Sequence, residues 1–169
     1  KTDLALAMIT QARQQGIGFA WVGFDGFYGS DPAFLRALED QGEIFIGDVH
    51  KDQRIYLEDP QPIIPPAKTP RGRPPTALQA QTPALRVDRW VQQQPATAWQ
   101  PVTWRAGTKG PLRVDILHPR VWLWDGEEAQ ARQWHLIVRR EIDHPTEIKY
   151  SLSNAAADTP APRRAFMQG

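Results

Sequence analysis

The 169-residue sequence contains no cysteine, which excludes disulfides, thiol catalysis and cysteine-ligated zinc and fits a reducing compartment. No apolar run approaches the roughly 18 residues that a membrane span needs, so no membrane partner is expected. A surplus of charge is lacking as well, because 20 basic and 19 acidic residues leave a net charge of +1. Any affinity for nucleic acid must therefore come from local basic patches.

What the sequence has instead is an apolar strand that ends in an acid, within residues 19–34 (FAWVGFDGFYGSDPAF). The apolar run is typical of a strand buried on both faces, and Gly23 within it indicates a close approach of neighbouring backbone. Asp25 ends the strand, and Gly26 and Gly29 then permit a sharp change of direction. Ligands bind at this edge of open α/β sheets; alternatively, Asp25 only caps the turn, and spacing alone does not decide.

Two helices and a second strand are predicted around this segment. Residues 2–15 form a helix whose inner face is expected to hold Leu4, Met8, Ile9 and Ala12. Asp31 is placed to cap a second helix, which ends before Gly42, and residues 43–49 form the next strand. Short strand–helix–strand connections predict that this strand runs parallel to the strand at 19–25.

Residues 60–83 differ sharply in composition, with eight of the sixteen prolines and no acidic residue. Such a segment is an extended linker or arm, since proline disfavours helices and central strands. Its Arg71-Gly72-Arg73-Pro74 stretch matches the core of an AT-hook, which lays an extended arm into the minor groove. Arg71 and Arg73 are therefore candidate DNA contacts, and a flexible basic linker is the alternative.

β signals dominate from residue 85 onward. Residues 85–91 are predicted to form a short strand or a helical turn, and five strands follow, at 102–105, 112–117, 121–124, 136–142 and 148–153. Six of the seven tryptophans lie in this region, which predicts a separate small β core. The hairpin 134–154 is expected to lead the chain back to the first lobe.

Four segments, in the right order, resemble DDE-type insertion-sequence transposases. WVGFDGFYGSDPAFLRALEDQG is similar to the second-aspartate segment of that family, in which a strand, an Asp, two residues, Tyr-Gly and a helix follow one another. The further matches are RGRPP (71–75), WQPVTWRAGTKGPLR (99–113) and YSLSNA (150–155).

The resemblance implies an α/β fold, namely a partial ribonuclease-H-like core interrupted by a β-rich insertion subdomain. Residues 1–50 would belong to the catalytic core, and residues 51–84 would form the Pro-rich basic arm. Residues 85–133 would form the insertion, and the hairpin and tail at 134–169 would return to the core.

The same resemblance implies that Asp25 is the second catalytic acid and a metal ligand. The family cleaves DNA and transfers strands with two Mg²⁺ or Mn²⁺ ions, which take carboxylate oxygens as ligands. The first acid would precede Lys1 and the third, a Glu, would follow Gly169, so we expect an excised piece that is inactive alone. Transposon ends and target DNA, a homodimer of the parent protein, and a bacterial, nucleoid-associated cytoplasmic location are further expectations.

The segment WRAGTKGPLR is a second candidate for DNA contact. Gly107 and Gly110 bracket Lys109, so that backbone N–H groups and an ammonium group could face one phosphate. Trp104 and Arg105 could stack on or clamp an unpaired DNA end. The alternative is an ordinary hairpin turn, and the family resemblance favours the functional interpretation.

Other polar groups are expected to be structural. The charged turn near residue 143 holds Glu141, Asp143 and His144, with His135 nearby. Because alternate side chains of a strand point to opposite faces, these groups are not expected to converge on one metal ion. Asp48 and His50 should be solvated groups at a strand end, or alternatively line the site of Asp25. Two rival functions remain: a non-catalytic DNA-binding module that uses the arm, and a protein-interaction domain with exposed tryptophans.

Overall fold

The computed structural model describes residues 1–67, 74–107, 110–142 and 144–156, with side chains for all of these except residues 104–107 and 110–112. The helices are α1 (Thr2–Gln14), α2 (Gly26–Gly29), α3 (Pro32–Asp40) and α4 (Val87–Gln92), with a 3₁₀ turn at Ala96–Ala98. The strands are β1 (Val22–Phe24), β2 (Phe45–Val49), β3 (Arg54–Ile55), β4 (Leu85–Arg86), β5 (Gln100–Gly107), β6 (Gly110–Leu117), β7 (Arg120–Leu123), β8 (Arg132–Glu141) and β9 (Ile148–Ser153). None of the helices in these ranges has the length and apolar character needed to cross a membrane.

Seven strands form one sheet in the order β1-β2-β9-β8-β6-β5, with β7 paired to β8. β1 and β2 are parallel, with Val22 opposite Phe45, as the short connections predict. The other strand pairs described in this sheet are antiparallel. The fold is therefore mixed α/β with a mostly antiparallel sheet, and β3 and β4 form a separate two-stranded sheet.

The core is shared by both halves of the chain. Phe34 and Phe45 belong to the same buried cluster as Trp99, Val121 and Trp134. The prediction of a separate β core is therefore wrong, because the hairpin β8–β9 pairs with β2 and joins the two halves in one sheet. The assignment of 85–133 as an insertion stays a prediction.

The inner face of α1 differs from the predicted one. Ala5, Leu6 and Ile9 pack against the core, whereas Leu4 and Met8 are 66% and 62% exposed. α1 packs on α3, which covers a different arc of the helix from the one that the sequence pattern suggests.

β1 is also less buried than predicted, because it lies at the edge of the sheet. Within the described residues it pairs only with β2, so that Val22 and Phe24 are half-buried and Gly23 is exposed. The Cβ position of Gly23 approaches the ring of Trp21 to 2.6 Å, so the close contact is with a side chain and not with neighbouring backbone.

The proline-rich arm contains no helix in its described parts. Its base is closed by an isolated antiparallel bridge between Ile63 and Gln79, and Pro60 at its start is fully buried. The arm leaves from β3 and returns to β4, so the two-stranded sheet forms its root. Residues 85–91 contain both predicted alternatives, since β4 passes directly into α4.

Candidate active-site edge

Asp25 lies where β1 ends and α2 begins. Its backbone is extended, and its Oδ1 accepts a hydrogen bond of 3.1 Å from the backbone N–H of Phe27. This is an N-cap, which satisfies one of the free donors at the start of the single-turn helix α2. The side chain is exposed, and Oδ2 makes no hydrogen bond within the described part of the chain.

The turn after Asp25 needs glycine at position 29 because a side chain there would clash with β2, not because the backbone adopts an unusual conformation. Gly26 and Gly29 lie outside the left-handed region, so the change of direction after Asp25 does not use the backbone freedom of glycine. A Cβ atom on Gly29 would stand 2.0 Å from the carbonyl oxygen of Asp48. Only glycine lets α2 lie this close to β2, and this contact sets the distance between Asp25 and the end of β2.

Aromatic contacts hold the turn from its other side. The Tyr28 ring lies 5.4 Å from that of Phe34 and 5.2 Å from that of Phe27. Asp31 caps α3 through a hydrogen bond of 3.2 Å from the backbone N–H of Phe34, as predicted. The loop that carries Asp25 is therefore braced by β2 on one side and by α3 on the other.

Asp48 and His50 lie at the same edge of the sheet. Phe24 pairs with Gly47, so Asp48 is one residue beyond the last pair, beside Asp25. Its Oδ1 accepts a hydrogen bond of 2.8 Å from Ser151 on β9. The His50 ring lies 3.5 Å from the Cβ position of Gly26, and both Asp48 and His50 are exposed.

The described residues do not assemble a complete metal site, since they contain no group of three or more acidic, His or Cys side chains that could hold an ion. Asp25 has the right chemistry for one ligand of a hard divalent cation, because such ions prefer carboxylate oxygens. Its free Oδ2 fits that role. Of the second predicted polar cluster, Asp143 lies outside the described residues, and His135 stacks on His118 with the ring centroids 4.7 Å apart.

A cleft of about 580 Å³ opens beside the turn, and its lining includes Gly29, His50, Arg54, Tyr56 and Trp124. Two arginines in the wall of this cleft form salt bridges with acidic side chains. Arg36 pairs with Asp125, Glu127 and Glu128, and Arg132 pairs with Glu39, Asp40 and Glu128. Burial acts to raise the pKa of Asp125, but the hydrogen bond from Arg36, the backbone N–H of Glu127 and the charge of Arg36 together outweigh it and lower that pKa. These pairs tie α3 to the β7–β8 connection rather than offer charge to a ligand.

Of the five predicted DNA-contact residues, two lie on a described strand and three do not. Arg71, Arg73 and Lys109 fall outside the described residues. Trp104 and Arg105 belong to β5, where the register shifts between residues 103 and 105, but their side chains are not described. β5 is at the opposite edge of the sheet from β1, five inter-strand steps or about 24 Å away. The hairpin β5–β6 and Asp25 are therefore not brought together within this chain.

Sequence reasoning missed the contact of Gly29 with β2 and the cleft. The family resemblance identifies the Tyr-Gly pair, but the need for glycine arises from Asp48, 19 positions further along the chain. No local signal predicts such a contact.

A family model for DDE superfamily endonucleases matches residues 1–111. The match includes the Asp25 turn, the arm and the hairpin β5–β6 up to residue 111. A comparison with curated proteins found no match, and neither did one with solved structures. The match covers 111 of the 169 residues and includes the turn that carries the exposed acid, and the chain therefore belongs to the DDE superfamily endonucleases.

Proposed function

We propose that this chain is the central part of a DNA transposase, in which Asp25 is a catalytic metal ligand for strand cleavage and strand transfer. Family membership supports the coarser statement that the chain belongs to a transposase-like nuclease acting on DNA. A ribonuclease-H-like core is supported by the β1–α3–β2 crossover with parallel strands, since such a unit presents side chains at the carboxyl edge of its strands.

The observation that carries this proposal is the position of the Asp25 carboxylate. It ends a strand that runs parallel to β2, one oxygen is held by the N–H of Phe27, and the other is free. Two divalent cations, when bound, stabilise the attacking and leaving oxygens of a phosphodiester displacement. Asp25 contributes a carboxylate whose orientation is set by the cap before any ion arrives, which reduces the reorganisation needed on binding.

The remaining acids of the site come from outside the described residues in this proposal. No described group of three ligands includes Asp25, and a lone carboxylate does not hold two dications beside a phosphate. The chain by itself is therefore expected not to cut DNA.

The test compares two substitutions of Asp25 in the full-length protein, with Mg²⁺ or Mn²⁺ and DNA that carries the ends of the element. Asp25→Asn keeps a good N-cap but loses the charge, whereas Asp25→Ala loses both. If Asp25 is a metal ligand, both variants lose nicking by more than the roughly 10–100-fold cost of removing a partner in the outer shell of a metal site. DNA binding and the fold should persist in Asp25→Asn.

The rival function is a non-catalytic DNA-binding module, and one observation favours it. The hydrogen bond to Phe27 accounts for Asp25 as a structural cap without any ion. On this account Asp25→Asn behaves like the unsubstituted protein, and Asp25→Ala loses about 1 kcal/mol of stability. Wild-type nicking by Asp25→Asn would therefore refute the catalytic role.

The arm is the second DNA-contacting element in this proposal. The bridge between Ile63 and Gln79 closes its base, so the loop with Arg71 and Arg73 departs from an anchored root. Affinity for DNA falls as salt rises, and replacing both arginines by Gln should make this dependence less steep. The slope of log affinity against log salt concentration should decrease in magnitude by about 2, as measured by fluorescence anisotropy on duplex DNA. An unchanged slope would show that the arm is a plain linker.

The third interpretation, a protein-interaction domain, gains no support. Among the tryptophans whose side chains are described, Trp21 alone is exposed, and Trp99 and Trp134 are buried.

A further inference from the structure

Two pairs of cations from separate parts of the chain meet beside the Asp25 edge. Arg54 on β3 lies directly opposite Arg86 on β4, and side chains of such a pair project from the same face of the sheet. Backbone hydrogen bonds of 2.9 and 3.0 Å tie the start of α4 to residues 51–53. We call the resulting exposed set the basic ridge; it comprises Lys51, Arg54, Arg86 and Arg89.

One ridge cation is held by a carboxylate at salt-bridge distance, and the charges of Asp52 and Asp88 also act on the ridge. Arg86 pairs with Asp88 at 2.7 Å, whereas Lys51, Arg54 and Arg89 form no salt bridge within the described part of the chain. Other arginines, by contrast, are held by carboxylates; they are Arg13, Arg36, Arg132 and Arg140.

The segments that form the ridge hold only two acids, Asp52 and Asp88, against its four cations. They therefore carry a surplus of two positive charges on a chain whose net charge is +1. Like charges directly opposite each other on a sheet are destabilising, and a polyanion laid across the ridge would offset that cost.

The ridge also lies between Asp25 and the arm, the two elements for which contact with DNA is proposed above. His50 precedes Lys51, and its ring contacts the Cβ position of Gly26, the residue after Asp25. On the other side, β3 and β4 are the strands from which the arm departs and to which it returns. Asp25, the ridge and the root of the arm therefore follow one another along the surface.

We propose that the basic ridge binds the phosphate backbone of duplex DNA that runs from the Asp25 edge toward the arm. This inference rests on the proposed function, which makes DNA the substrate. Contacts to phosphates set the position and orientation of DNA without reading its sequence. The ridge therefore aligns the duplex at Asp25 and does not select the target site.

The experiment measures binding of the full-length protein to a fluorescein-labelled duplex of arbitrary sequence by anisotropy, over a series of salt concentrations. The ridge variant is Arg54→Gln/Arg89→Gln. The matched control is Arg120→Gln/Lys149→Gln, which removes the same charge from two exposed cations of the main sheet. In the ridge variant the slope of log affinity against log salt should decrease in magnitude by about 1.8, at about 0.9 per lost contact. In the control variant the slope should stay within about 0.5 of the original.

Equal slopes for ridge variant and control would overturn the inference, as would a protein that does not bind the duplex at low salt. Arg54→Lys/Arg89→Lys, which keeps the charges, should retain the original slope, and thermal melting followed by circular dichroism checks the fold of each variant. The proposed function and the ridge are tested by different measurements. Nicking at the wild-type level by Asp25→Asn would refute catalysis by Asp25, even if the ridge variant still shows a reduced salt slope. Loss of nicking by Asp25→Asn, together with an unchanged salt slope for the ridge variant, would refute the role of the ridge alone.

Discussion

Replacement of Gly29 by Ala tests the geometry on which the Asp25 site depends. The added Cβ would lie 2.0 Å from the Asp48 carbonyl oxygen and 3.2 Å from Cγ1 of Val49. Real Cβ atoms essentially never come within 3.0 Å of such an atom, so α2 must move away from β2 by at least about 1 Å. The atom that collides is a backbone oxygen, which cannot turn aside as a flexible side chain would.

We expect the overpacking in Gly29→Ala to cost about 3 kcal/mol, the upper end of the usual range. A reduced entropy of the unfolded chain returns only about 0.4–1 kcal/mol. For a domain of this size the net loss corresponds to a fall in Tm of about 4–10 °C. The displacement also moves Asp25. Under the proposed function this lowers activity, since a shift of about 1 Å in a catalytic group can cost 100-fold in rate.

Urea denaturation followed by circular dichroism measures the free energy of unfolding, and Gly18→Ala is the matched control. Nothing lies within 4 Å of the Cβ position of Gly18, and its backbone is outside the left-handed region. The control should therefore be neutral or more stable by up to about 1 kcal/mol. If Gly29→Ala and Gly18→Ala unfold at the same urea concentration, α2 does not rest on β2 as described.

Two further substitutions test charge and burial through the pH dependence of unfolding. Arg36→Met leaves Asp125 part-buried without its partner and should lower the free energy of unfolding by about 2 kcal/mol near pH 7. Because Arg36 lowers the pKa of Asp125, the stabilisation that this pair provides is lost as the pH falls through that pKa. The cost of Arg36→Met should therefore shrink toward about pH 3. A cost that is the same at both pH values would contradict this assignment. His135 is buried with no hydrogen-bond partner of good geometry for either ring nitrogen among the described residues, and burial, helped by the charge of Arg120, lowers its pKa. Between about pH 6.5 and pH 5, above the range in which carboxylates titrate, stability should therefore decline as the pH falls, by at most about 1.4 kcal/mol per pH unit. This decline is expected in the unsubstituted protein and in the exposed control His144→Gln but not in His135→Leu. Equal slopes in all three over this window would refute the reasoning.

Much of the local structure follows from short-range signals. α3 was predicted from the Asp31 cap and from the glycine at 42, whose φ of 74° ends the helix. The five later strands were found within a few residues of their bounds, because turn residues separate them clearly. The two-residue strand β3 was missed, since so short a segment carries no periodicity.

The errors share a different origin. Leu4 and Met8 fit a helical face but are exposed, because the neighbour of α1 covers a different arc of the helix. The tryptophan-rich region looked like a separate core, whereas Trp99 and Trp134 pack with Phe45. In each case the sequence pattern shows that a side chain is apolar but not which element will cover it.

The sequence by itself determined that an acid ends an apolar strand at Asp25, that a capped helix follows, and that a basic arm interrupts the fold. These features depend on hydrogen bonds and backbone preferences that act over a few residues. Only the tertiary structure decided that Gly29 must be glycine, that Asp25 and the hairpin β5–β6 lie at opposite edges of one sheet, and that Arg54 faces Arg86 beside Asp25. Strand order and register bring these distant residues together or hold them apart, and they arise from packing of the whole chain rather than from any single segment.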